Sequence, residues 1–230
     1  MRAHVITMWE HELSNKGFKA LNDSHAITKQ RFPIKKFDAI ISDVDRHMQN
    51  DNIKWNYPWD AIELDIASGL IKTPYPTKNR TARIACALSH YNLWKKCYKE
   101  DDPFLILEHD AIFTKRLNYK YILQSKYDII GINDPRGATR RVREYSDAVE
   151  RNPVAIQRPP IVDDMNVPQG IAGNSAYMIK PAGAKFMLDL VNRYGLWPND
   201  AIMCQQLVPA LAITKQYYTK VQGLNSTTSL

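Results

Sequence analysis

The residues best suited to chemistry are Glu108, His109 and Asp110, which directly follow the apolar residues 104–107. Four consecutive apolar residues predict a short strand that is buried on both faces. In open α/β sheets, ligands bind outside the carboxyl ends of the strands, so this strand would deliver the triplet to a binding edge. Two carboxylates one residue apart suit Mg²⁺ or Mn²⁺. Such triplets also occur where a strand simply ends in solvent, so the triplet alone does not establish a site.

Length and composition indicate a globular protein with one sizeable core. The chain has 230 residues, of which 44% are hydrophobic and 24% charged, as is usual for a globular α/β protein. We expect a single domain over residues 1–230, with residues 221–230 as an extended C-terminal tail. The net charge of +7 indicates an anionic partner such as a phosphorylated substrate, a membrane surface or nucleic acid.

The cysteines and the hydropathy pattern bear on location. Cys86, Cys97 and Cys204 show no metal-ligand spacing, and their odd number does not suggest a disulfide framework, which favours a reducing cytoplasm. We see no signal peptide, and no apolar run approaches the ~20 residues that span a bilayer. We therefore expect a cytoplasmic protein that works in solution or at a membrane surface.

Alternating strand and helix patterns predict a mostly parallel sheet flanked by helices. Strands are predicted at residues 4–9, 39–41, 104–107, 127–132, 176–179 and 211–213. Helices are predicted at residues 81–98, 181–194 and 201–207, the second of them between Pro181 and the stop signal Gly195. Residues 10–24 are polar and Gly17 weakens a helix there. Residues 45–78 and 148–168 are predicted to be loops, the first of them rich in aromatic residues.

The helix at residues 81–98 carries one candidate site residue. Its apolar side chains repeat at three- and four-residue steps, which places one stripe toward the core, and Thr81 is a reasonable N-cap. His90 lies two positions from the centre of that stripe, beside Ser89. It is either a histidine satisfied by core hydrogen bonds or a site residue.

A cluster of arginines follows the strand at residues 127–132. Arg136, Arg140, Arg141 and Arg143 fall within eight residues. A run of charge is usually a solvated face. Its position past the end of a strand favours phosphate binding, because the guanidinium fork matches phosphate geometry. The sequence leaves both interpretations open.

Two motifs at a fixed separation resemble glycosyltransferase family 25, which includes lipopolysaccharide and collagen galactosyltransferases. Residues 84–94 read Ile-Ala-Cys-Ala-Leu-Ser-His-Tyr-Asn-Leu-Trp, and residues 105–111 read Leu-Ile-Leu-Glu-His-Asp-Ala. The family shows a helix ending in Leu-Ser-His and then an apolar strand into Glu-Asp-Asp. Residues 173–188, 198–200 and 222–227 also resemble the family. The resemblance covers residues 77–229 in pieces and the first 75 residues loosely.

Two positions depart from the family pattern. Arg83 stands where the family has glutamate, and His109 stands where it has the central acid of Glu-Asp-Asp. The outer carboxylates remain, in the DXD-like spacing with which a GT-A fold holds the metal and the nucleotide sugar. His109 could be an extra metal ligand or could lower the affinity for Mn²⁺.

The resemblance implies a GT-A-like, Rossmann-like fold and an inverting, metal-assisted glycosyltransferase. The donor would be a nucleotide sugar such as UDP-galactose, the acceptor a hydroxyl group of a glycan or another molecule, and the cofactor Mn²⁺ or Mg²⁺. On this hypothesis Asp110 and Glu108 hold the metal. The predicted contacts to the donor are Glu108, His109, His90, Arg136 and Arg140.

The candidate catalytic base is Asp200. A carboxylate must take the proton of the acceptor hydroxyl, which typically contributes about 10²–10⁴-fold to the rate. Asp200 also precedes the predicted helix at residues 201–207, where it could serve only as an N-cap. If Asp200 is not the base, the candidates are Asp134, Asp163 and Asp164.

Two other function classes remain open from the residues themselves. A metal-dependent nuclease or nucleotidyltransferase could use Glu108 and Asp110. A basic nucleic-acid-binding protein could use residues 136–143 and the aromatic loop, and its binding would depend steeply on salt. The family resemblance favours sugar transfer, so we do not expect nucleic acid as a partner.

Overall fold

The computed structural model describes residues 1–138, 140–163 and 165–224. Its strands are β1 (Arg2–Thr7), β2 (Ile34–Asp38), β3 (Glu63–Asp65), β4 (Leu70–Lys72), β5 (Phe104–Glu108), β6 (Ala111–Phe113), β7 (Ile129–Gly131), β8 (Ile156–Gln157), β9 (Ala176–Ile179), β10 (Leu211–Thr214) and β11 (Thr219–Val221). Its helices are α1 (Glu12–Ile27), α2 (Val44–Asn50), α3 (Arg80–Glu100), α4 (Tyr119–Leu123), α5 (Val142–Arg151), α6 (Pro181–Tyr194) and α7 (Asn199–Ile202), with a 3-10 turn at Pro135–Gly137.

Seven strands form the central sheet, in the order β2-β1-β5-β9-β7-β10-β8. β1 pairs in parallel with β2 and β5, and β7 pairs in parallel with β10. β9 is antiparallel to both β5 and β7, and β8 is antiparallel to β10. β2, β1, β5, β7 and β10 therefore run in one direction and end at one edge. The predicted α/β fold with a mostly parallel central sheet is confirmed.

The two faces of the sheet are both covered, which explains the continuous apolar run of β5. Phe104 and Ile106 point into the core beneath α3 and α6, whereas Leu105 and Leu107 point into the core beneath α1 and α4. Successive side chains of a strand alternate between faces, so a strand covered on both faces needs apolar residues at every position.

Helix α3 packs against the sheet and includes the candidate site residue His90. It begins at Arg80, and the Asn79 side chain accepts a hydrogen bond from the backbone amide of Ala82 at 3.0 Å. The prediction of Thr81 as N-cap is therefore wrong, because the helix starts earlier. His90 and Trp94 lie on the buried face of the helix.

Helix α1 runs through Gly17, where the sequence predicted a weakened helix. A Cβ atom at this position would lie 2.7 Å from the carbonyl oxygen of His109. The glycine thus lets the helix approach the turn after β5, and this close packing outweighs the low helix propensity of glycine.

Four further predictions of local structure are wrong in whole or in part. β2 ends at Asp38, so the strand predicted at residues 39–41 lies outside the sheet. The loop predicted at residues 45–78 contains nearly all of α2 and the hairpin of β3 and β4, and the loop predicted at residues 148–168 includes the end of α5 and all of β8. The helix predicted at residues 201–207 is the four-residue α7. Each is a short or edge element, where few residues carry a period and packing sets the boundaries.

The predicted C-terminal tail begins with residues that are hydrogen-bonded to another strand. Val221 belongs to β11, which pairs with Ala111 of β6, and the Gln222 amide donates to the Asp110 carbonyl at 2.9 Å. Of the tail predicted at residues 221–230, residues 225–230 lie outside the described residues. In the described part of the chain, no helix is long and apolar enough to cross a membrane.

Candidate active site

The carboxyl ends of the parallel strands open into a cavity of about 550 Å³. Among the predicted site residues, its wall includes Glu108, His109, Asp110, His90 and Asp200. Other parts of the wall come from residues 39–41, 82–83, 85–86, 137–138, 173–175, 221 and 223–224. The cavity therefore brings together residues separated by more than a hundred positions in the sequence.

The triplet is fixed by its backbone on several sides. Glu108 ends β5, and its amide donates to the Ser175 carbonyl at 2.8 Å. The Gln222 side-chain amide donates to the His109 carbonyl at 3.2 Å, and Gly17 packs against that same carbonyl. His109 and Asp110 then form the turn into β6. The triplet is part of a packed turn and does not merely end a strand in solvent.

Asp110 carries the most unusual electrostatics of the triplet. Burial and then the charge of Glu108 raise the pKa of Asp110 to about 7, although a hydrogen bond from Ser175 opposes the shift. Its Oδ1 is buried and has no hydrogen-bond partner in the part of the chain that the structure describes. A buried carboxylate oxygen without a partner is unfavourable by itself. A cation would satisfy it, so the residues present fit the Mn²⁺ or Mg²⁺ that the family pattern implies.

His90 belongs to a chain of hydrogen bonds that ends on Glu108. Trp94 Nε1 donates to the Tyr177 hydroxyl at 2.9 Å, and that hydroxyl lies 2.9 Å from His90 Nδ1. His90 Nε2 lies 3.1 Å from Glu108 Oε1. Because the Glu108 carboxylate can only accept, His90 Nε2 carries the proton that it donates to Glu108, and Nδ1 accepts from the Tyr177 hydroxyl. The chain fixes both the tautomer of His90 and one oxygen of Glu108.

The same hydrogen bonds explain why three side chains with potential metal-ligand atoms lie close together. Among the described residues, Cys86, His90 and Glu108 place one ligand atom each within 4.8 Å of one another. Burial raises the pKa of the Cys86 thiol well above its usual value, so the thiol stays protonated and binds metals poorly. His90 Nε2 carries a proton and is engaged by Glu108. The cluster is therefore best understood as a hydrogen-bonded wall of the cavity.

His109 is held as a neutral imidazole at neutral pH. Burial lowers the pKa of His109, and the opposing charge of Glu108 does not reverse that direction. A neutral ring does not repel a cation, and it keeps one nitrogen lone pair as an acceptor. The departure from the family pattern at His109 is thus compatible with a cation on the neighbouring carboxylates.

Asp200 reaches the cavity from α7. This helix begins at Asn199 with Pro198 at the N-cap position, so the alternative that Asp200 is the N-cap is wrong. Burial raises the pKa of Asp200, Glu108 raises it further, and the positive charge of Arg83 opposes both. The positive end of a helix dipole lowers the pKa of a carboxylate and weakens it as a base, but burial outweighs this effect at Asp200. A raised pKa makes the carboxylate a stronger base.

Gly170 sets the position of α7. A Cβ atom at this residue would overlap the Asp200 carbonyl oxygen and would lie 2.9 Å from that of Met203. Gly170 also forms an antiparallel bridge with Cys204. The glycine therefore allows the segment before β9 to pack directly against the backbone that carries Asp200.

The arginine segment contributes backbone to the cavity. Gly137 and Ala138 line it, whereas the guanidinium groups of Arg136 and Arg140 form ion pairs with Asp134 at 2.6 Å and Asp163 at 3.0 Å. The role of Arg136 and Arg140 in donor binding stays a prediction. Of the other candidate bases, Asp134 and Asp163 are thus engaged by arginines, and Asp164 lies outside the described residues.

Sequence reasoning did not assign Arg83, Asn174, Ser175 and Asn199 to the site, yet all four line the cavity. Arg83 lies on α3 with its guanidinium 5.2 Å from the centre of the Tyr75 ring. Asn174 and Asn199 each lie within a short motif that the family resemblance covers. Their position within these motifs was the only feature of the sequence that pointed to the site. Neither asparagine has a spacing from other polar residues that indicates chemistry.

Comparison with solved structures finds similar chains at low identity. An active-site mutant of LgtC is 12% identical, with 93% of this chain and 72% of that chain covered and a TM-score of 0.44. A glycosyltransferase involved in glycosylation of the major capsid of PBCV-1 is 7% identical, with 98% and 94% covered and a TM-score of 0.44. The bifunctional glycosyltransferase WbbM is 6% identical, with 98% and 46% covered and a TM-score of 0.49.

Comparison with curated proteins finds no match. Residues 22–203 match the family profile described as glycosyltransferase family 25 (LPS biosynthesis protein). This match extends from α1 to α7 and includes both motifs on which the predicted resemblance depends. The chain belongs to glycosyltransferase family 25.

Proposed function

We propose that this protein transfers a sugar, galactose or a similar one, from a nucleotide-sugar donor such as a UDP-sugar to a hydroxyl group of a glycan acceptor. The transfer would be metal-assisted and would invert the anomeric carbon. One observation carries the proposal: a single cavity holds Glu108 and Asp110 from the end of β5 together with Asp200 from α7. Family membership supports sugar transfer over the nuclease and nucleic-acid-binding alternatives.

Glu108 and Asp110 are the proposed metal ligands. The buried, unpartnered Oδ1 of Asp110 and the adjacent carboxylate of Glu108 form a hard donor set, the type that Mn²⁺ and Mg²⁺ prefer. When bound, the ion would act as a Lewis acid that neutralises charge on the diphosphate leaving group. Asp110 would then be ionised, since a cation nearby favours the charged carboxylate.

Asp200 is the proposed base. Its raised pKa suits it to accept the proton of the acceptor hydroxyl as that oxygen attacks the anomeric carbon. Asp200 and the proposed metal ligands belong to different elements, so the hydroxyl and the leaving group can be held by separate residues. Direct displacement by a hydroxyl activated in this way inverts the anomeric carbon.

The remaining predicted residues have supporting roles in this proposal. His90 orients Glu108 through its Nε2 proton, and His109 keeps the turn neutral beside the diphosphate. Arg136 and Arg140 flank the stretch that lines the cavity, so each could bind phosphate oxygens by exchanging its aspartate partner for the donor.

A panel of nucleotide sugars tests the proposal. We expect nucleotide release from at least one UDP-sugar with Mn²⁺ or Mg²⁺, loss of that release in EDTA, and loss in Asp110→Asn. Asp189→Asn is the matched control, because Asp189 is exposed on α6 and pairs with Lys185. NMR of the sugar product would reveal inversion.

Full activity in EDTA would contradict the role of the metal, and retention in the product would contradict the role of Asp200. Absence of both turnover and thermal stabilisation with every nucleotide sugar would contradict the donor class, because a ligand that binds the native state raises its stability.

A further inference from the structure

Asn174 lies in the cavity wall immediately before β9. Its side chain is 8% exposed, and its neighbours are fixed by hydrogen bonds. Asn133 Nδ2 donates to the Gly173 carbonyl at 2.8 Å, and the Ser175 carbonyl accepts from the Glu108 amide at 2.8 Å. Gly173 has φ +65°, a backbone conformation that favours glycine. The segment therefore presents Asn174 from a rigid support.

The Asn174 amide is not satisfied by the part of the protein that the structure describes. Its Nδ2 lies 3.8 Å from the sulfur of Met203, which is a weak acceptor, and its Oδ1 has no hydrogen-bond partner among the described residues. Exchanging the two amide atoms would leave Nδ2 unpartnered instead and would place the oxygen beside sulfur. Buried polar atoms are normally hydrogen-bonded, so an orphaned amide oxygen in a cavity wall indicates a ligand contact.

Asn174 lies next to residues that contact both the proposed metal ligand and the helix of the proposed base. Ser175, the next residue, hydrogen bonds to Asp110, a proposed metal ligand. Met203, which contacts Asn174 Nδ2, directly follows α7, the helix that carries Asp200. Asn174 therefore lies between the proposed site of the diphosphate and the proposed base, where the transferred sugar must be held.

We infer that Asn174 Oδ1 accepts a hydrogen bond from a hydroxyl group of the transferred sugar and thereby selects the donor sugar. This inference rests on the proposed function. The unpartnered atom is an acceptor, so its ligand must bring a proton donor or a cation, and the proposed cation already has the carboxylates of Glu108 and Asp110 as ligands. A proton donor is therefore the partner that we assign to Asn174 Oδ1. Phosphate oxygens of the donor at neutral pH carry no such proton, whereas sugar hydroxyls do. An acceptor hydroxyl has the same chemistry, and the experiment must separate these two sources.

The test compares wild type with Asn174→Ala and Asn174→Ser in hydrolysis of the donor without acceptor. The probes are the best UDP-sugar and its monodeoxy analogues. We expect Asn174→Ala to raise the donor KM or lower kcat/KM by about tenfold or more, since a site built to bind a hydroxyl loses an oriented contact. One deoxy analogue should react equally with wild type and Asn174→Ala, because the missing hydroxyl is the partner of Asn174. Asn192→Ala, on the exposed side of α6, is the control.

Melting temperature distinguishes a ligand contact from a structural role. Removing an unsatisfied amide should leave the melting temperature of the ligand-free protein unchanged or raise it, and Asn174→Ser should behave likewise. The inference would be overturned if the melting temperature fell clearly in both Asn174→Ala and Asn174→Ser and if each variant lost activity equally on every analogue. Normal donor hydrolysis with impaired transfer to an acceptor would also overturn it and would assign Asn174 to the acceptor.

The inference can fail while the proposed function stands. An active wild-type enzyme with unchanged selectivity in Asn174→Ala would overturn the inference alone. A wild type that turns over no nucleotide sugar would overturn the proposed function, and the inference with it.

Discussion

The acidic end of β5 and the arginine segment at residues 136–143 differ in how far the protein itself satisfies their charges. Arg136 and Arg140 already pair with aspartates, whereas Asp110 has a buried oxygen without a partner among the described residues. Both regions follow strands of the sheet, and both look suited to bind a charged ligand. The comparison teaches that charge density is a weaker guide to a site than charge left unsatisfied by the fold.

The physical difference lies in the backbone around each region. The Glu108 amide donates to the Ser175 carbonyl, Gln222 donates to the carbonyls of residues 109 and 110, and Gly17 packs against the same turn. The backbone of the triplet at residues 108–110 is therefore fixed, and it holds the two carboxylates at the cavity. The arginines have long side chains that are 65% and 51% exposed at Arg136 and Arg140, and these reach nearby aspartates freely. A ligand gains the most binding free energy from groups that are rigid and already removed from water, because they need not lose other partners to bind it.

The largest expected effect is that of Asp110→Asn. Because this change removes the charge that would hold the cation, we expect metal-dependent transfer to fall by about a thousandfold. The melting temperature should not fall, since the variant loses a buried and unfavourable carboxylate. Steady-state kinetics and a thermal melt check this beside Asp189→Asn. Activity near that of wild type would mean that the acidic end of β5 is no more functional than the arginine segment.

Asp200→Asn should lower transfer by about 10²–10⁴-fold, because an amide cannot accept the proton of the acceptor hydroxyl. Donor binding should change little, since Asp200 is proposed to act on the acceptor. Kinetics with saturating donor and thermal shifts with the nucleotide sugar measure the two effects separately. Near-normal transfer would require a base elsewhere in the chain.

Tyr177→Phe should weaken the apparent Mn²⁺ affinity by about 10–100-fold, because His90 would lose the partner that fixes its tautomer and its orientation toward Glu108. The melting temperature should also fall, since Trp94 Nε1 loses its acceptor. Tyr98→Phe, at an exposed position of α3, the helix that carries His90 and Trp94, is the control. A lower melting temperature with an unchanged Mn²⁺ titration would show that the hydrogen bonds from Trp94 through Tyr177 and His90 to Glu108 have a purely structural role.

Arg136→Ala and Arg140→Ala should have smaller effects. Each arginine must exchange an aspartate for phosphate, so the gain from binding the donor is partly cancelled, and we expect less than about a tenfold rise in the donor KM. Initial-rate kinetics over donor concentration provide the measurement. A loss as large as that of Asp110→Asn would reverse the comparison and would place the diphosphate at the arginine segment.

The smallest expected effects are pH-dependent changes in stability with opposite signs. The pKa of Asp200 is raised, so the folded protein binds more protons than the unfolded chain, and Asp200 destabilises the fold increasingly as the pH rises from its unfolded pKa through its raised folded pKa. The hydrogen bond from Arg136 lowers the pKa of Asp134, which stabilises the fold above the unfolded pKa and loses that stabilisation as the pH falls toward the folded pKa.

Thermal melts from about pH 2.5 to about pH 8 test these signs in Asp200→Asn and Asp134→Asn, since the lowered pKa of Asp134 places its change at the acidic end of that range. The first variant should gain melting temperature over wild type as the pH rises, and the second should lose it. The same sign in both variants would show that a carboxylate buried in the cavity wall and a carboxylate paired with an arginine do not differ in how far the protein satisfies their charge.

Several features of the molecule follow from the sequence alone. The apolar run before Glu108 predicted β5, and Pro181 with Gly195 predicted both ends of α6, because these elements are governed by local period and by local backbone preference. The two motifs at residues 84–94 and 105–111 were also sufficient for the family, since their separation in the chain is itself a sequence property.

The tertiary structure decided which of these residues meet and which are satisfied. The pairing of Arg140 with Asp163, the packing of Gly170 against the backbone of Asp200 and the lack of a partner for Asn174 Oδ1 among the described residues depend on packing between separate segments. Gly17 shows the reason: its helix is disfavoured locally, yet the missing Cβ allows contact with His109. Local patterns determine which elements form, whereas burial and the partners across the cavity determine what their side chains can do.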